Sequence, residues 1–296
     1  MSATTRTHIN ALPRELLAQI LLMSKPSLPS RRRGSHCNFE RTITTICRHW
    51  REVALDSPRL WNIMYISRVV WLANLPLLRS WFKRTRSAPL EILIEIKDDE
   101  LWDESSGCLD TDLVDRAVAG FRLVAEHSWH WRHFECDFGS DALMCKHPFF
   151  AAMLTAGQAP MLETLALFFD GSLGNVGRND AGGIQRDKVT PDAAAVYVRT
   201  MFDGVCPRLR DATLWGMVPY PDLQPHIFRG LQRMVLGLQC DEYPEPLPRV
   251  RGLLSGCPDL VTVELTYLGH PAPRRECWSI PATDQESVQL GKLTCL

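Results

Sequence analysis

The sequence predicts an α+β or α/β repeat protein in which a small helical domain precedes an array of short strands and helices. Two observations predict this fold class. Apolar residues recur at helical spacing in the first sixty residues, and a chain break followed by alternating apolar residues recurs from residue 89 onward. With 296 residues, the chain is long enough for one small domain and an extended array.

The first amphipathic helix is predicted to begin at Pro13. Proline is tolerated in a first helical turn because its missing N–H would be unpaired there. One apolar face then carries residues at i, i+4, i+5, i+8 and i+9, namely Leu12, Leu16, Leu17, Ile20 and Leu21. The proline-containing, basic segment 24–40 follows, and we interpret it as a solvated loop.

A second helix is predicted from Glu40 to Leu55. Its apolar face carries Ile43, Ile46, Cys47, Trp50, Val53 and Ala54 at helical spacing. Pro58 lies just beyond its end, and the residue before a proline avoids the α region. Two short helices expose more apolar surface than they can bury against each other, so the following domain or a partner must cover the surplus.

The series of motifs over residues 9–61 resembles an F-box of the kind abundant in fungal F-box proteins. It consists of Leu12-Pro13-x-Glu15-Leu16-Leu17-x-x-Ile20-Leu21, then Cys47-Arg48-x-Trp50-Arg51-x-Val53-Ala54, then Ser57-Pro58-x-Leu60-Trp61. The loop 24–40 is longer and more basic than usual, which is tolerable because loop entropy grows slowly with length. The resemblance implies an F-box helical domain over residues 1–66.

The resemblance also implies a partner and a function. F-box proteins bind a Skp-family linker, which joins them to a cullin scaffold, so the chain would be a non-catalytic substrate-recognition adaptor of a ubiquitin ligase. Such an interface would be apolar and dominated by a few anchor residues. They would be drawn from Leu12, Pro13, Leu16, Leu17, Ile20 and Leu21 in the first helix, with Ile46, Cys47, Trp50, Val53 and Ala54 supplying or supporting the rest.

A strand pattern recurs downstream, in which a break, usually proline, precedes apolar residues at x, x+3 and x+5. Each copy ends in a run whose alternate residues are apolar, as in a half-buried strand. The copies begin near residues 89, 131, 160, 207, 231 and 258. Helices are predicted around them at 79–86, 112–127, 193–202 and 248–254.

The irregular spacing of these copies indicates leucine-rich-repeat-like stacking over residues 67–296. Fungal F-box proteins often carry poorly conforming leucine-rich repeats, so the resemblance supports an irregular solenoid of short parallel strands and helices. An ordinary α/β domain with a mostly parallel sheet predicts the same strands and is the alternative. Leucines 290, 293 and 296 resemble the start of another repeat without a polar cap, so we expect the chain to be truncated at its C-terminus.

Neither a cofactor nor a metal site is predicted. The glycine-rich segment 170–183 lacks the Lys-Ser/Thr of a phosphate loop and is interpreted as a flexible insertion. His127, His130 and His133 are close to Cys136, but a strand places residues three apart on opposite faces. We therefore expect partly exposed histidines, with the tryptophans at 129 and 131 in the core.

Composition and charge narrow the classes of function. Lys and Arg total 33 and Asp and Glu total 34, so the net charge of −1 argues against nucleic-acid or anionic-membrane binding. Residues 1–10 lack a secretory signal, and no apolar stretch reaches the roughly 20 residues that span a bilayer. The 10 cysteines are scattered, which indicates reduced, mostly buried thiols in a cytoplasmic or nuclear protein.

The sequence carries no G-x-S-x-G or H-E-x-x-H motif, so two non-catalytic functions are favoured; a third, an undetected enzyme, would need a deep polar pocket with converging titratable groups. The first is the ligase adaptor, whose repeat region would bind a target protein. The second is a ligase-independent protein-binding scaffold whose F-box-like helices pack internally. The exposure of Leu16, Leu17 and Ile20 discriminates between them, since an apolar patch favours a partner and full burial favours the scaffold.

Overall fold

The protein has an α/β fold built on a 7-stranded parallel sheet. The structure is a computed structural model. It describes residues 9, 12–27, 39–96, 98–101, 110–138, 149, 151–153, 155–168, 201–215, 225–239, 254 and 256–268.

The strands lie in the sheet in the same order as in the chain, and each is parallel to its neighbour. Every strand from β2 to β7 coincides with one of the predicted copies, which confirms the α/β class. The strands are β1 (Ile63–Ile66), β2 (Leu90–Glu95), β3 (Trp131–Asp137), β4 (Thr164–Phe168), β5 (Asp211–Trp215), β6 (Arg233–Gln239) and β7 (Thr262–Leu268).

The x, x+3, x+5 pattern predicts a strand because its three apolar residues are buried in the same core. In β5, Leu209 precedes the strand and is 1% exposed, and Ala212 and Leu214 follow on one face at 1% and 4%. Residues two apart on a strand share a face, and the parallel register aligns Leu214 with Leu236 of β6. The apolar rows of adjacent strands therefore form one continuous core surface.

Six α-helices with described bounds lie before β1 and between β1 and β3; a helical segment at 151–153 and two 3-10 helices, Met201–Gly204 and Pro225–Phe228, lie further along the chain. Asn74 and Asp110 accept hydrogen bonds from backbone N–H groups of the first turns of α5 and α6, at 3.1 and 2.9 Å. The predicted helices 79–86 and 112–127 are confirmed, with shifted ends. The helices are α1 (Arg14–Ser24), α2 (Phe39–Ile46), α3 (Arg48–Leu55), α4 (Val69–Leu72), α5 (Leu75–Thr85) and α6 (Thr111–Ala125).

The prediction of one helix from Glu40 to Leu55 is wrong, because the chain breaks at Cys47, whose backbone is extended (φ −158°, ψ 173°). Threonine hydroxyls form hydrogen bonds with main-chain carbonyls of the preceding turn, from Thr44 to Glu40 and from Thr45 to Thr42, each at 2.9 Å. The Nε of Arg51 donates to the carbonyl of Thr44 at 2.7 Å. These contacts help to end α2 and allow α3 to start in a new direction.

Strand β1 was not predicted and lies within the segment assigned to the helical domain. Its signal is the uninterrupted apolar run Ile63–Ile66, which pairs with β2 through Met64 and Ile92. The sheet therefore begins immediately after the last F-box-like motif.

Helices α4, α5 and α6 pack on the face of the sheet that carries the alternating apolar rows. Helix α6 approaches α4 closely because position 120 is glycine. A Cβ at Gly120 would lie 1.9 Å from the carbonyl oxygen of Leu72. Only a residue without a side chain permits this backbone contact.

In the histidine segment, His127 and His133 are half-buried as expected, but His130 and Trp129 differ from the expectation. His130 is fully buried, and neither of its ring nitrogens has a hydrogen-bond partner among the residues that the structure describes. The short turn Ser128–His130 directs His130 inward and Trp129 outward, so Trp129 is 46% exposed whereas Trp131 is buried as expected. His127 stacks on Phe82 at 3.9 Å. Burial lowers the pKa of His127, and it lowers that of His130 to about 4.

Several predictions lie wholly or largely outside the described residues. They are the glycine-rich segment 170–183, the helices at 193–202 and 248–254, the start of a further repeat at 290–296 and most of the loop 24–40.

Within the described residues, no group of three or more His, Cys, Asp or Glu side chains is placed to bind a metal ion. In the same part of the chain, no helix combines the length and apolar character needed to cross a bilayer. Of the cysteines described there, Cys136, Cys206 and Cys257 are buried and Cys47 is half-buried. Burial raises the pKa of the Cys206 thiol to about 12 and that of Cys257 to about 11.

The buried His130 predicts a loss of stability in mild acid. Above about pH 6.5, neither folded nor unfolded His130 carries a proton. Between pH 6.5 and about 4 the unfolded chain takes up the proton first, so the contribution of His130 to the free energy of unfolding falls by at most about 1.4 kcal/mol per pH unit. Urea denaturation across this range measures the slope. His130→Leu should flatten it, and an unchanged slope in that variant would contradict the assignment.

Candidate partner-binding surface

Helix α1 carries two apolar stripes, one buried and one exposed. Leu17 and Leu21 point inward and are 0% and 2% exposed. Leu16, Ile20 and Met23 lie at i, i+4 and i+7, which places them on one line of the helix surface, and they are 47%, 39% and 87% exposed. We call these three residues the outer stripe. The helix is thus apolar on more of its circumference than its own fold buries.

The inward side of α1 packs with α3 and the turn after it in a small core separate from the main one. The Nε1 of Trp61 donates to the carbonyl oxygen of Ala54 at 2.8 Å, which satisfies the buried indole. This inner cluster consists of Leu17, Leu21, Ile43, Val53, Ala54, Leu60 and Trp61.

The predicted contact residues divide into three groups. Leu17, Leu21, Val53 and Ala54 belong to the inner cluster, so they can support a binding surface but not touch a partner in this conformation. The half-buried residues are Leu12, Cys47 and Trp50, and Trp50 packs against the inner cluster. The exposed residues are Pro13, Leu16, Ile20 and Ile46.

Sequence reasoning missed one residue of the outer stripe. Met23 is the most exposed large apolar side chain among the described residues. Its position, seven residues after Leu16, was a usable signal, but the F-box-like motif ends at Leu21 and the helix continues to Ser24. Ile46, 53% exposed at the end of α2, lies on a different helix from the outer stripe.

Helices α1, α2 and α3 together with the turn 58–61 form a unit that we call the helical cluster. Two exposed ion pairs lie at its surface. Arg14 Nη2 lies 2.6 Å from Asp56 Oδ2 and links the start of α1 to the residue that follows α3. Arg48 donates to Glu52 at 2.8 Å, and this hydrogen bond lowers the pKa of the Glu52 carboxyl. Exposed pairs of this kind are screened by solvent and contribute little to stability, so the apolar contacts dominate the arrangement of the three helices.

The sheet offers a second surface on the face opposite the main core. The register places Phe168, Trp215 and Gly237 in one row across β4, β5 and β6. A Cβ at Gly237 would lie 2.5 Å from Cδ2 of Trp215, so glycine is required for the indole to lie against this strand. The same face carries the carboxylates of Glu95 on β2 and of Glu135 and Asp137 on β3. Tyr65 of β1 donates a hydrogen bond to Glu95 at 2.8 Å. The face therefore combines aromatic and acidic groups.

Comparison with known proteins gives no family assignment. No protein-family model matches the chain, and no curated protein matches its sequence. The function is therefore inferred from the residues and their geometry.

Truncating a side chain in each of the two stripes of α1 is predicted to change stability by very different amounts. Leu17→Ala removes a fully buried side chain and should lower the free energy of unfolding by about 2–5 kcal/mol. Leu16→Ala, the matched change on the next residue, should alter it by no more than about 0.5 kcal/mol. Urea denaturation compares them. Equal destabilisation by both changes would show that Leu16 also packs internally.

Proposed function

We propose that the chain is a non-catalytic substrate-recognition adaptor of a Skp–cullin–F-box ubiquitin ligase, acting in the cytoplasm or nucleus. The helical cluster would bind the Skp-type linker. The sheet domain, which comprises β1–β7 and helices α4–α6, would bind the target protein. The observation that carries the proposal is the outer stripe, an exposed apolar line on a helix whose other apolar side is fully buried.

The linker half of the proposal rests on two features together. The F-box-like motif series predicts an apolar contact surface on α1, and exposed apolar side chains there suit a protein interface. Leu16, Ile20 and Met23 are the proposed anchors, with Pro13 at the start of the helix. The inner cluster packs the other side of α1 and holds the helix in place, which reduces the conformational entropy lost on binding.

The target half rests on the order of the strands. Parallel strands are joined by right-handed crossovers in nearly all proteins, so a sheet whose strands succeed one another without reversal has its crossovers on one face. A doubly wound sheet instead reverses its strand order and carries helices on both faces. The observed order supports an irregular leucine-rich-repeat-like solenoid, in which the opposite face is offered to a target.

An adaptor of this kind needs no catalytic residue of its own. It raises the effective concentration of a target near the ubiquitin-loaded enzyme by holding both on one scaffold. The side chain of Trp81 donates to the carbonyl oxygen of Trp61 at 2.6 Å, which connects the helical cluster to the sheet domain. The relative position of the two proposed binding surfaces is therefore fixed by direct packing.

The second candidate is a ligase-independent protein-binding scaffold. It is favoured by the inner cluster, because Leu17, Leu21 and Trp61 bury themselves within the chain without any partner. It leaves the 87% exposure of Met23 and the exposure of Leu16 and Ile20 without a role.

A pull-down of the full chain by a purified Skp-type linker tests the proposal. The wild type should be retained, and Leu16→Asp with Ile20→Asp should abolish retention, since two carboxylates would be desolvated in an apolar interface. Glu15→Lys changes the charge on another exposed side of the same helix, at a position three or four residues from none of the outer-stripe residues, and should retain binding. Trp50 is unsuitable for substitution because it packs against the inner cluster.

Thermal melting of each variant confirms that the charges act at the surface. All should melt near the wild-type temperature, because the residues replaced are exposed. Failure of the folded wild type to bind the linker would favour the scaffold. Retained binding by the Leu16, Ile20 double variant would exclude the outer stripe as the interface.

A further inference from the structure

A cavity of about 640 Å³ lies where the helical cluster meets the sheet domain. Its walls come from three segments that are distant in sequence: the turn after α3, the turn between α5 and β2, and β3. Among the described residues that line it, the charged side chains are all arginines. The lining residues are Pro58, Arg59, Asn62, Arg86, Ser87, Ala88, Pro89 and Arg132.

Two of the arginines have available guanidinium groups. Within the described part of the chain, the side chains of Arg59 and Arg86 form no hydrogen bond or ion pair, and both residues are exposed. Each guanidinium carries five N–H donors in a planar fork that matches the oxygens of a phosphate group.

The third arginine is held in place by carboxylates at one side. Arg132 Nη2 lies 3.0 Å from Glu91, and its Nε lies 3.8 Å from Glu163. These pairs leave its Nη1 donors for a ligand. They also restrict the side chain, so less conformational entropy is lost when an anion binds.

The floor of the cavity is anchored by Asn62. Its Nδ2 donates to the carbonyl of Pro89 at 2.9 Å, and its Oδ1 accepts from Lys25 Nζ at 2.5 Å. Lys25 also donates to the carbonyl of Arg59 at 2.8 Å. A fourth positive charge is therefore held next to two lining residues and adds to the attraction for an anion.

The backbone at Arg86 supplies an independent observation. Arg86 has φ 52° and ψ −119°, the first central position of a type II′ turn closed by the hydrogen bond from Ala88 N–H to Thr85 O at 2.9 Å. That position favours glycine, because a side chain is strained there. A strained arginine on the wall of a cavity is the kind of departure that marks a functional site.

We propose that this cavity binds a phosphate group, either as inorganic phosphate or as a phosphate monoester, through Arg59, Arg86 and Arg132. Phosphate is favoured because guanidinium groups bind it through paired, charge-assisted hydrogen bonds. A bound anion would bridge the three wall segments and stabilise the junction of the helical cluster with the sheet. The site does not depend on the adaptor proposal, since it involves neither the outer stripe nor a protein partner.

Calorimetric titration of the full chain with inorganic phosphate and with O-phosphoserine tests the site and identifies the source of the phosphate group. Binding of either supports the proposal, and the tighter ligand shows whether an ester is preferred. Arg59→Gln with Arg86→Gln should weaken binding at least about tenfold. Arg79→Gln, which removes an exposed arginine of α5 outside the cavity, should bind as the wild type does.

Arg86→Gly keeps the test decisive if the double variant folds poorly. Glycine relieves the strain of the turn, so this variant should melt at or above the wild-type temperature without phosphate, yet lose the phosphate-dependent rise in melting temperature. Sodium chloride at matched ionic strength controls for salt. The proposal is overturned if the wild type binds neither ligand, or if Arg86→Gly and the double variant bind as tightly as Arg79→Gln.

Discussion

The packing of Trp61 against Trp81 holds the helical cluster on the sheet domain. Their rings meet edge to face at 5.3 Å, and the Trp81 indole donates to the carbonyl of Trp61. The guanidinium of Arg84 lies over the Trp61 ring at 4.4 Å. Trp61 belongs to the inner cluster, while Trp81 packs against both cores. Aromatic packing, a partly buried hydrogen bond and a cation–π contact therefore coincide at one junction.

The strands were predictable because their signal is local. In each copy, a break precedes apolar residues whose spacing places them on one face, and that spacing is independent of the rest of the chain. Leu162, Leu209, Leu231 and Leu260 are all at most 1% exposed, as the first position of the pattern requires. Strand β1 lacks such a break and follows the F-box-like motif directly, so only its apolar run marked it.

The candidate site was only partly predictable, for a physical reason. Periodicity identifies the apolar arc of α1, but Leu16 and Leu17 are adjacent within that arc, and periodicity cannot say which one faces inward. That choice is made by Leu60 and Trp61, more than forty residues away in the chain. Hydrogen bonds from Thr44, Thr45 and Arg51 help to break the helix at Cys47. A three-residue helix directs His130 inward. Hydrophobic periodicity contains no information on either feature.

The succession of strands in chain order also governs how the sheet comes apart. Among the described strands, each pairs only with its immediate predecessor and successor, so no described pairing joins the first part of the sheet to the last. Loss of β7 would remove described strand pairing from β6 alone, whereas loss of β3 would divide the sheet. Contacts between sequence neighbours also keep the entropy of loop closure low during folding. The described sheet is therefore expected to open by fraying from its edge strands β1 and β7, with local stability graded along the array.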